Sequence, residues 1–277
     1  MAFEPKIDFV ISVRDRDNKR IQKCVNSLLS NITNKIYVVD YGSKKPIKGL
    51  KSCKVIRVDT KNRWNKCHAL NIGIKKCKSS YIGTVDCDMV IGNCFMKKVK
   101  EHLKGDVFLF TRSVARIAPD LLDWGLDREK LIRLSSPWSE TKLPSLHEAV
   151  GGIQIFPKWW IFRIRGYDEN LTYWGGMDND IYERAFRTEL IMIDINEIIF
   201  HQEHKNVKEQ NLTSKKEQET ALSERQKRRI YLMYKWTKNI NVGPKTWGAP
   251  TKPQQNQINI NFQNGKKKKD TVSNNKQ

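Results

Sequence analysis

The fold is decided by the stretch Tyr81-Ile82-Gly83-Thr84-Val85-Asp86-Cys87-Asp88-Met89-Val90-Ile91, an apolar, β-branched run that carries two carboxylates one residue apart. Side chains alternate along a strand, so Asp86 and Asp88 are expected on one face at its carboxyl end. Two like charges at that spacing are tolerated mainly when a cation lies between them. Carboxylate oxygens suit Mg²⁺ or Mn²⁺, which usually bridge to a phosphate. The stretch predicts a metal site, with an exposed turn that holds two aspartates as the alternative.

Strand and helix patterns alternate along the chain before this stretch. Apolar runs predict strands at Ile7 to Val13, Lys35 to Val39 and Val55 to Val58, and apolar residues at helical spacing predict a helix from Trp64 to Cys77. This alternation predicts an α/β fold with a mostly parallel, doubly wound sheet and helices on both faces.

Polar residues follow several of these predicted strands. Arg14, Asp40 and the Asp86/Asp88 pair all fall at predicted carboxyl ends. Ligands of doubly wound sheets bind beyond that edge, so we expect these side chains to meet there. Residues 113–150, which contain three prolines, are expected to form loops over the same edge. A further strand is predicted at Gly151 to Phe156 and a helix at Ile181 to Arg187.

Composition divides the chain into three parts. Residues 1–204 are predicted to form the α/β domain, residues 205–238 a helical extension, and residues 239–277 a basic disordered tail. From Lys205 to Gln277 the chain has 17 Lys and Arg against 5 Asp and Glu, so this part carries more than half of the net charge of +21. Such a charge favours contact with a polyanion, either nucleic acid or an anionic membrane surface.

Apolar runs and cysteines restrict the class of protein. No apolar run approaches the roughly 18 residues of a membrane span, and the N-terminus lacks a signal-peptide pattern. We therefore expect a cytoplasmic protein, with peripheral contact at the inner membrane surface through the basic tail. The six cysteines form no Cys-x-x-Cys pair, which argues against a zinc site or a disulfide framework.

Several segments together resemble glycosyltransferases of the GT-A fold, family 2-like. The segments are Val38-Val39-Asp40-Tyr41-Gly42-Ser43, Asn65 to Gly73, Asp86-Cys87-Asp88, Gly166-Tyr167-Asp168-Glu169-Asn170, and Trp174-Gly175-Gly176-Met177-Asp178-Asn179-Asp180. The last is similar to the Trp-Gly-Gly-Glu-Asp-x-Asp motif of the β-galactosyltransferase and polypeptide N-acetylgalactosaminyltransferase groups. The resemblance implies a metal-dependent inverting transfer of a sugar from a UDP-sugar to a hydroxyl group.

The resemblance also implies roles for single residues. Asp178 is the expected catalytic base, and the expected metal ligands are Asp86, Asp88 and His201, with His204 as the alternative histidine. The expected nucleotide-sugar-binding residues are Arg14, Asp40, Asn65, Asp86, Gly152 and Trp174. For Asp178, a helix cap is the structural alternative.

Two departures from the family pattern leave the acceptor open. Tyr41 replaces the second Asp of the base-binding turn, where its ring could stack on the base, and Met177 stands where related motifs carry Glu. The expected acceptor is a saccharide or a glycolipid. The alternatives are a modified nucleic-acid base as acceptor, or a non-catalytic nucleic-acid-binding protein on a transferase fold.

Overall fold

A computed structural model describes residues 5–124, 127–137, 151–172, 176–188, 190–204 and 245–249. Its strands are β1 (Ile7–Val13), β2 (Thr33–Tyr41), β3 (Lys54–Val58), β4 (Tyr81–Asp86), β5 (Met89–Ile91), β6 (Val107–Phe110), β7 (Val114–Ile117), β8 (Ser136–Pro137), β9 (Ile153–Pro157), β10 (Ile191–Asp194) and β11 (Ile199–Gln202). Its α-helices are α1 (Asn18–Ser27), α2 (Lys66–Ile74), α3 (Phe95–His102), α4 (Arg128–Leu134), α5 (Lys158–Arg163) and α6 (Met177–Phe186).

A seven-stranded sheet in the order β10-β6-β9-β4-β1-β2-β3 forms the centre of the fold. β1 is parallel to β2 and β4, and β2 is parallel to β3. β9 runs antiparallel to both β4 and β6. All seven residues of β1 are buried, as expected of a parallel strand covered on both faces. The predicted α/β class with a mainly parallel sheet is therefore confirmed.

Helices cover both faces of this sheet and enclose two separate apolar clusters. In β1, Phe9 and Ile11 belong to one cluster and Val10 to the other, as the alternation of side chains requires. The first cluster includes residues of α1 and α3, and the second includes residues of α2, α5 and α6. The predicted placement of helices on both faces is correct.

A second sheet, in the order β5-β11-β7-β8, corrects two sequence predictions. Asp86 and Asp88 were expected on one face at the end of one strand, but β4 ends at Asp86 and the chain turns through Cys87 and Asp88 into β5 of the second sheet. Residues 113–150, expected to be loops, contribute β7, a 3-10 turn at Pro119–Trp124, α4 and β8, while residues 138–150 lie outside the described part.

The C-terminal part is described only at residues 245–249, so the predicted helical extension at 205–238 and most of the predicted tail lie outside the described residues. At 245–249 the structure differs from the expected disorder, because Trp247 is 5% exposed and belongs to the cluster of α2. In the described part of the chain, no helix combines the length and the apolar character that crossing a membrane requires.

Candidate active site

Asp88, His201 and His204 form a group of three metal-ligating side chains, whose ligand atoms all lie within 4.8 Å of one another. The Nε2 atoms of His204 and His201 lie 3.0 and 3.6 Å from Asp88 Oδ2. Burial alone would raise the pKa of Asp88, but hydrogen bonds from the two imidazoles outweigh it and hold the pKa well below its usual range. Both histidines that the sequence offered as alternatives thus lie beside Asp88.

Pairing between the strands of the second sheet explains this convergence. His201 pairs with Met89 where β11 runs antiparallel to β5, and the Gln202 amide donates to the Asp88 carbonyl at 2.8 Å. The turn after β4 is therefore held directly against the end of β11. Two segments that are more than 100 residues apart in sequence meet at this point.

Asp86 lies in a different environment, at the ammonium group of Lys66. Lys66 Nζ is 2.5 Å from Asp86 Oδ1 and 3.3 Å from Asp178 Oδ1, so one cation joins the two carboxylates. Burial raises the pKa of Asp86 to about 6, and Lys66 opposes that rise. Burial would lower the pKa of Lys66, but Asp178 and Asp86 raise it well above its usual value. Asp86 is not part of the group of three ligands that includes Asp88.

Sequence reasoning did not single out Lys66. It is the first residue of α2, directly after the N-cap Asn65. A cation at a helix N-terminus is disfavoured by the helix dipole unless an acidic partner compensates. A lysine at the first position of a predicted helix was therefore the signal in the sequence for a nearby acidic partner. The structure shows two such partners, Asp86 and Asp178.

Asp178 lines a small cleft together with Lys66, whose ammonium group it faces. The lining residues are Lys66, Leu70, Thr84, Asp86, Gly152, Ile153, Gln154 and Asp178. The N-cap of α6 is Gly176, in the left-handed region at φ 85°, without a side-chain cap, and the carboxylate of Asp178 faces Lys66 instead. The alternative in which Asp178 merely caps the helix is therefore not what the structure shows.

Two glycines before β9 approach the cleft closely. A Cβ at Gly151 would lie 3.0 Å from Asp178 Oδ2, and one at Gly152, whose φ is +103°, would lie 2.8 Å from Ile199 Cδ1. The Gly152 carbonyl also accepts the Asp86 amide at 3.0 Å. Gly152 therefore lines the cleft, and a side chain there would meet β11.

Asp40 was expected at the nucleotide base, but the structure turns it inwards. Its carboxylate is fully buried and accepts hydrogen bonds from the amides of Ser43 and Ile47 and from Arg57, at 3.2, 3.1 and 2.8 Å. Burial opposes ionisation, yet these hydrogen bonds lower the pKa of Asp40 below its usual value. Contact with a base would require the network to open, so the structure gives Asp40 a role in shaping the turn.

Tyr41 and Asn65 are likewise occupied within the protein. The Tyr41 ring is fully buried, and its hydroxyl lies 3.0 Å from His68 Nδ1, so it does not present a free face for stacking on a base. Asn65 accepts the His68 amide at 2.9 Å and donates to the Glu169 carbonyl at 2.8 Å. It caps α2 and ties the helix to the loop at 166–170, instead of facing the cleft.

The remaining expected residues have different outcomes. Arg14, at the end of β1, donates to the Asn62 carbonyl at 2.6 Å and is partly buried. Met177 is 1% exposed, so the side chain that replaces the family's Glu packs into the core. Trp174 lies outside the described residues. The structure thus brings together Asp86 and Asp178 in the cleft, and Asp88 with two histidines beside it.

Comparison with known proteins gives the family. The pattern of Glycosyl transferase family 2 matches residues 8–191. Chondroitin synthase from Escherichia coli is 24% identical over an alignment of 198 residues, and the match covers 55% of this chain but only 28% of that relative. The match therefore concerns a minor part of the relative's length.

Two solved structures share the fold. GalNAc-T7 with UDP, GalNAc and Mn²⁺ gives a TM-score of 0.52 at 15% identity, over 74% of this chain and 45% of that chain. Mannosyltransferase PcManGT from Pyrobaculum calidifontis, in complex with GDP-Man and Mn²⁺, gives a TM-score of 0.51 at 12% identity, over 74% of this chain and 59% of that chain. At these identities the likeness concerns the fold. From the family match over most of the α/β domain, the chain belongs to Glycosyl transferase family 2 and is a glycosyltransferase of the GT-A fold.

Proposed function

We propose that this glycosyltransferase moves a sugar from a UDP-sugar to a hydroxyl group of a saccharide or glycolipid, with inversion and with the help of Mn²⁺. One observation carries the proposal: Asp88, which groups with His201 and His204, follows two residues after Asp86, and Asp86 lines the cleft in which Asp178 and Lys66 face each other. A metal-ligating group and a carboxylate suited to act as a base thus occur at one edge of the sheet.

The ligand set fits Mn²⁺ better than Mg²⁺. It offers one carboxylate and two imidazoles, and Mg²⁺ prefers oxygen ligands whereas Mn²⁺, the softer ion, accepts nitrogen. We assign the ion to Asp88, His201 and His204, because Asp86, the other expected ligand, is paired with Lys66. We keep Asp86, which lines the cleft, as a proposed nucleotide-sugar-binding residue. The ion would neutralise charge on the leaving diphosphate.

Asp178 is the proposed general base. Inversion by direct displacement needs a carboxylate that removes the proton of the acceptor hydroxyl, and such a base typically contributes about 10²- to 10⁴-fold to the rate. Asp178 lines the cleft, and its carboxylate is held by Lys66 rather than by the helix end. Lys66 would keep the carboxylate oriented until an acceptor enters.

The donor and acceptor classes rest on the relatives. UDP is favoured by the complex of GalNAc-T7 with UDP, while the GDP-Man complex of the mannosyltransferase makes GDP the competing nucleotide. The name chondroitin synthase favours a saccharide acceptor. We also propose a cytoplasmic location, with the Lys-rich residues 266–269 contacting an anionic membrane surface; the positive charge of these residues supports the membrane contact.

The donor is tested by thermal unfolding with UDP, GDP, CMP and ADP, each with Mn²⁺ and with a chelator. A ligand at about 100 times its Kd stabilises by about 2.7 kcal/mol, which corresponds to a shift of about 5 to 10 °C for a domain of this size. We expect this shift with UDP and Mn²⁺ together, and its loss in Asp88→Ala but not in a control such as Leu103→Ala. A shift with GDP alone among the nucleotides would replace the UDP donor, and no shift would refute the donor class.

A further inference from the structure

Residues 245–249, here called the C-terminal clip, are seated on α2 and on the loop at 166–170. The Trp247 indole is 5% exposed and meets Phe162 edge-on, with ring centroids 5.2 Å apart. Lys75 Nζ lies 3.7 Å from the centroid of the same indole. The clip therefore fills a site between α2 and α5 through an aromatic anchor and a cation–π contact.

The backbone of the clip is hydrogen-bonded as well. The Gly248 amide donates to Glu169 Oε1 at 2.7 Å, and the same oxygen accepts Asn71 Nδ2 at 2.9 Å. The Ala249 carbonyl lies 2.8 Å from His68 Nε2. These contacts reach both α2 and the loop, so the clip fastens one to the other.

Two glycines show that both surfaces are shaped for this contact. A Cβ at Gly166, whose φ is +72°, would lie 2.6 Å from Trp247 Cε3, and one at Gly248, whose φ is +65°, would lie 2.7 Å from the Asn71 carbonyl oxygen. Each backbone conformation is one that glycine adopts without cost. A side chain at Gly248 would push the clip away from α2, and one at Gly166, which would also clash with Asn71 Oδ1, would push the loop away from both α2 and the clip.

His68 extends the contact to the turn after β2. Because the Ala249 carbonyl can only accept, Nε2 of a neutral His68 carries the proton, and Nδ1 accepts from the Tyr41 hydroxyl at 3.0 Å. Tyr41 adjoins Asp40, which organises the same turn. The clip thus sets the tautomer of a buried histidine that supports the predicted base-binding turn.

A second chain of contacts runs from the clip to the cleft. Asn71 exchanges hydrogen bonds with the backbone of Tyr167 at 2.8 and 2.9 Å. The Tyr167 hydroxyl contacts Thr84 and Gln154 at 2.7 and 3.0 Å, and Gln154 Nε2 donates to the Asp178 carbonyl at 3.0 Å. The other end of α2 begins with Lys66, which holds the carboxylate of Asp178.

We propose that the C-terminal clip is a positioning element of the active site, which fixes α2 and the loop at 166–170 so that Lys66 and Asp178 keep their places in the cleft. The kinetic part of this inference rests on the proposed function. Trp247 and Gly248 touch neither cleft nor metal group and act through α2. The competing explanation is that Trp247 only adds apolar burial to the core.

Hydrogen exchange of the full-length chain separates the two explanations. We compare Trp247→Ala with Leu103→Ala, which removes a buried side chain from the cluster on the opposite face of the sheet. Trp247→Ala should speed amide exchange by about tenfold or more in peptides covering residues 66–74 and 166–172, as expected for a local loss of stability. Leu103→Ala should leave those peptides protected. Equal protection in both variants would overturn the proposal.

A pair of glycine substitutions gives a test that keeps the indole. Gly248→Ala and Gly49→Ala both place a Cβ at positive φ, but only the former meets α2, because nothing lies within 4 Å of a Cβ at Gly49. Gly248→Ala should reproduce the exchange pattern of Trp247→Ala, and Gly49→Ala should not. This pair remains informative if Trp247→Ala fails to fold.

Kinetics and rescue complete the test. Trp247→Ala should lower the kcat of sugar transfer by about 10- to 100-fold with a smaller change in donor KM, since a small displacement of catalytic groups lowers the rate of the chemical step. Trp247→Phe should recover most of the lost kcat. A rate loss no larger than that of Leu103→Ala at matched Tm would overturn the proposal. If the unmodified chain transfers no sugar, the proposed function fails, and the exchange comparison still decides on the clip.

Discussion

Substitution of Lys66 by Met removes the cation shared by Asp86 and Asp178. The ammonium lies 2.5 Å from one carboxylate and 3.3 Å from the other, and its side chain is 13% exposed. Methionine preserves most of the length of the side chain and leaves two acidic groups facing each other without compensation. We expect Lys66→Met to be the most destabilising single change of a charged residue in the cleft.

The size of the effect follows from burial. Removing one partner of a buried ion pair costs about 3 to 5 kcal/mol, because the other charge stays buried without a partner. Asp86 and Asp178 retain 32% and 26% of their side-chain exposure, so water screens part of the cost. We expect the lower end, about 3 kcal/mol, which lowers Tm by about 6 to 12 °C for a domain of this size.

Thermal and urea unfolding of matched variants measure this effect. Lys76→Met, an exposed lysine just beyond the same helix, is the control and should change stability by less than about 0.5 kcal/mol. The double variant Lys66→Met/Asp178→Asn removes one of the unpaired charges and should recover about 1 to 2 kcal/mol. If Lys66→Met is as stable as Lys76→Met, the shared cation does not hold the cleft together.

Three further substitutions test other parts of the site. His204→Ala should raise by about tenfold or more the Mn²⁺ concentration that gives half-maximal nucleotide-dependent stabilisation; an unchanged titration would remove this side chain from the ligand group. Gly152→Ala, with φ at +103° and a Cβ 2.8 Å from Ile199 Cδ1, should lower the free energy of unfolding in urea by about 1 to 3 kcal/mol. An unaltered midpoint would show that the backbone can relax there. Asp40→Asn should lose about 1.5 to 3 kcal/mol at neutral pH through its charged hydrogen bond to Arg57. Because the folded-state pKa of Asp40 lies below the ordinary 3.8, the stability advantage of the native residue over Asn should persist above that pH and disappear only as pH falls below it. A difference in Tm that stays constant between pH 3 and pH 7, roughly the range over which carboxylates titrate, would contradict this.

The sheet was predictable because its central strands are continuous apolar runs. β1 and β4 are buried along almost their whole length, and such runs between helical patterns allow few other folds. The edge of the sheet at which the site lies follows from the same pattern, since Asp86 ends a buried strand and Asp88 lies in the turn that follows. The structure places Asp88 beside two late histidines and Asp178 in the cleft with Asp86, while the roles expected of these residues stay predictions.

Side-chain direction within that edge was not predictable. Asp86 and Asp88 were expected on one face, but the turn at Cys87 sends Asp88 towards β11 while Asp86 meets Lys66. Asp40 lies at a strand end, and its inward rotation depends on Arg57 from the neighbouring strand. The contact of Trp247 with α2 joins residues far apart in sequence, and no local pattern reports such a contact.

Sugar transfer by Asp178→Asn tests the central claim most directly. The full-length chain is supplied with a UDP-sugar, Mn²⁺ and a panel of saccharide acceptors, and Glu183→Gln, on the same helix but paired with Arg187, is the control. We predict that Asp178→Asn keeps UDP binding with Mn²⁺ but loses about 10²- to 10⁴-fold in kcat, the contribution of a general base. Glu183→Gln should stay active. Full transfer by Asp178→Asn would show that another group removes the acceptor proton, and would contradict the account.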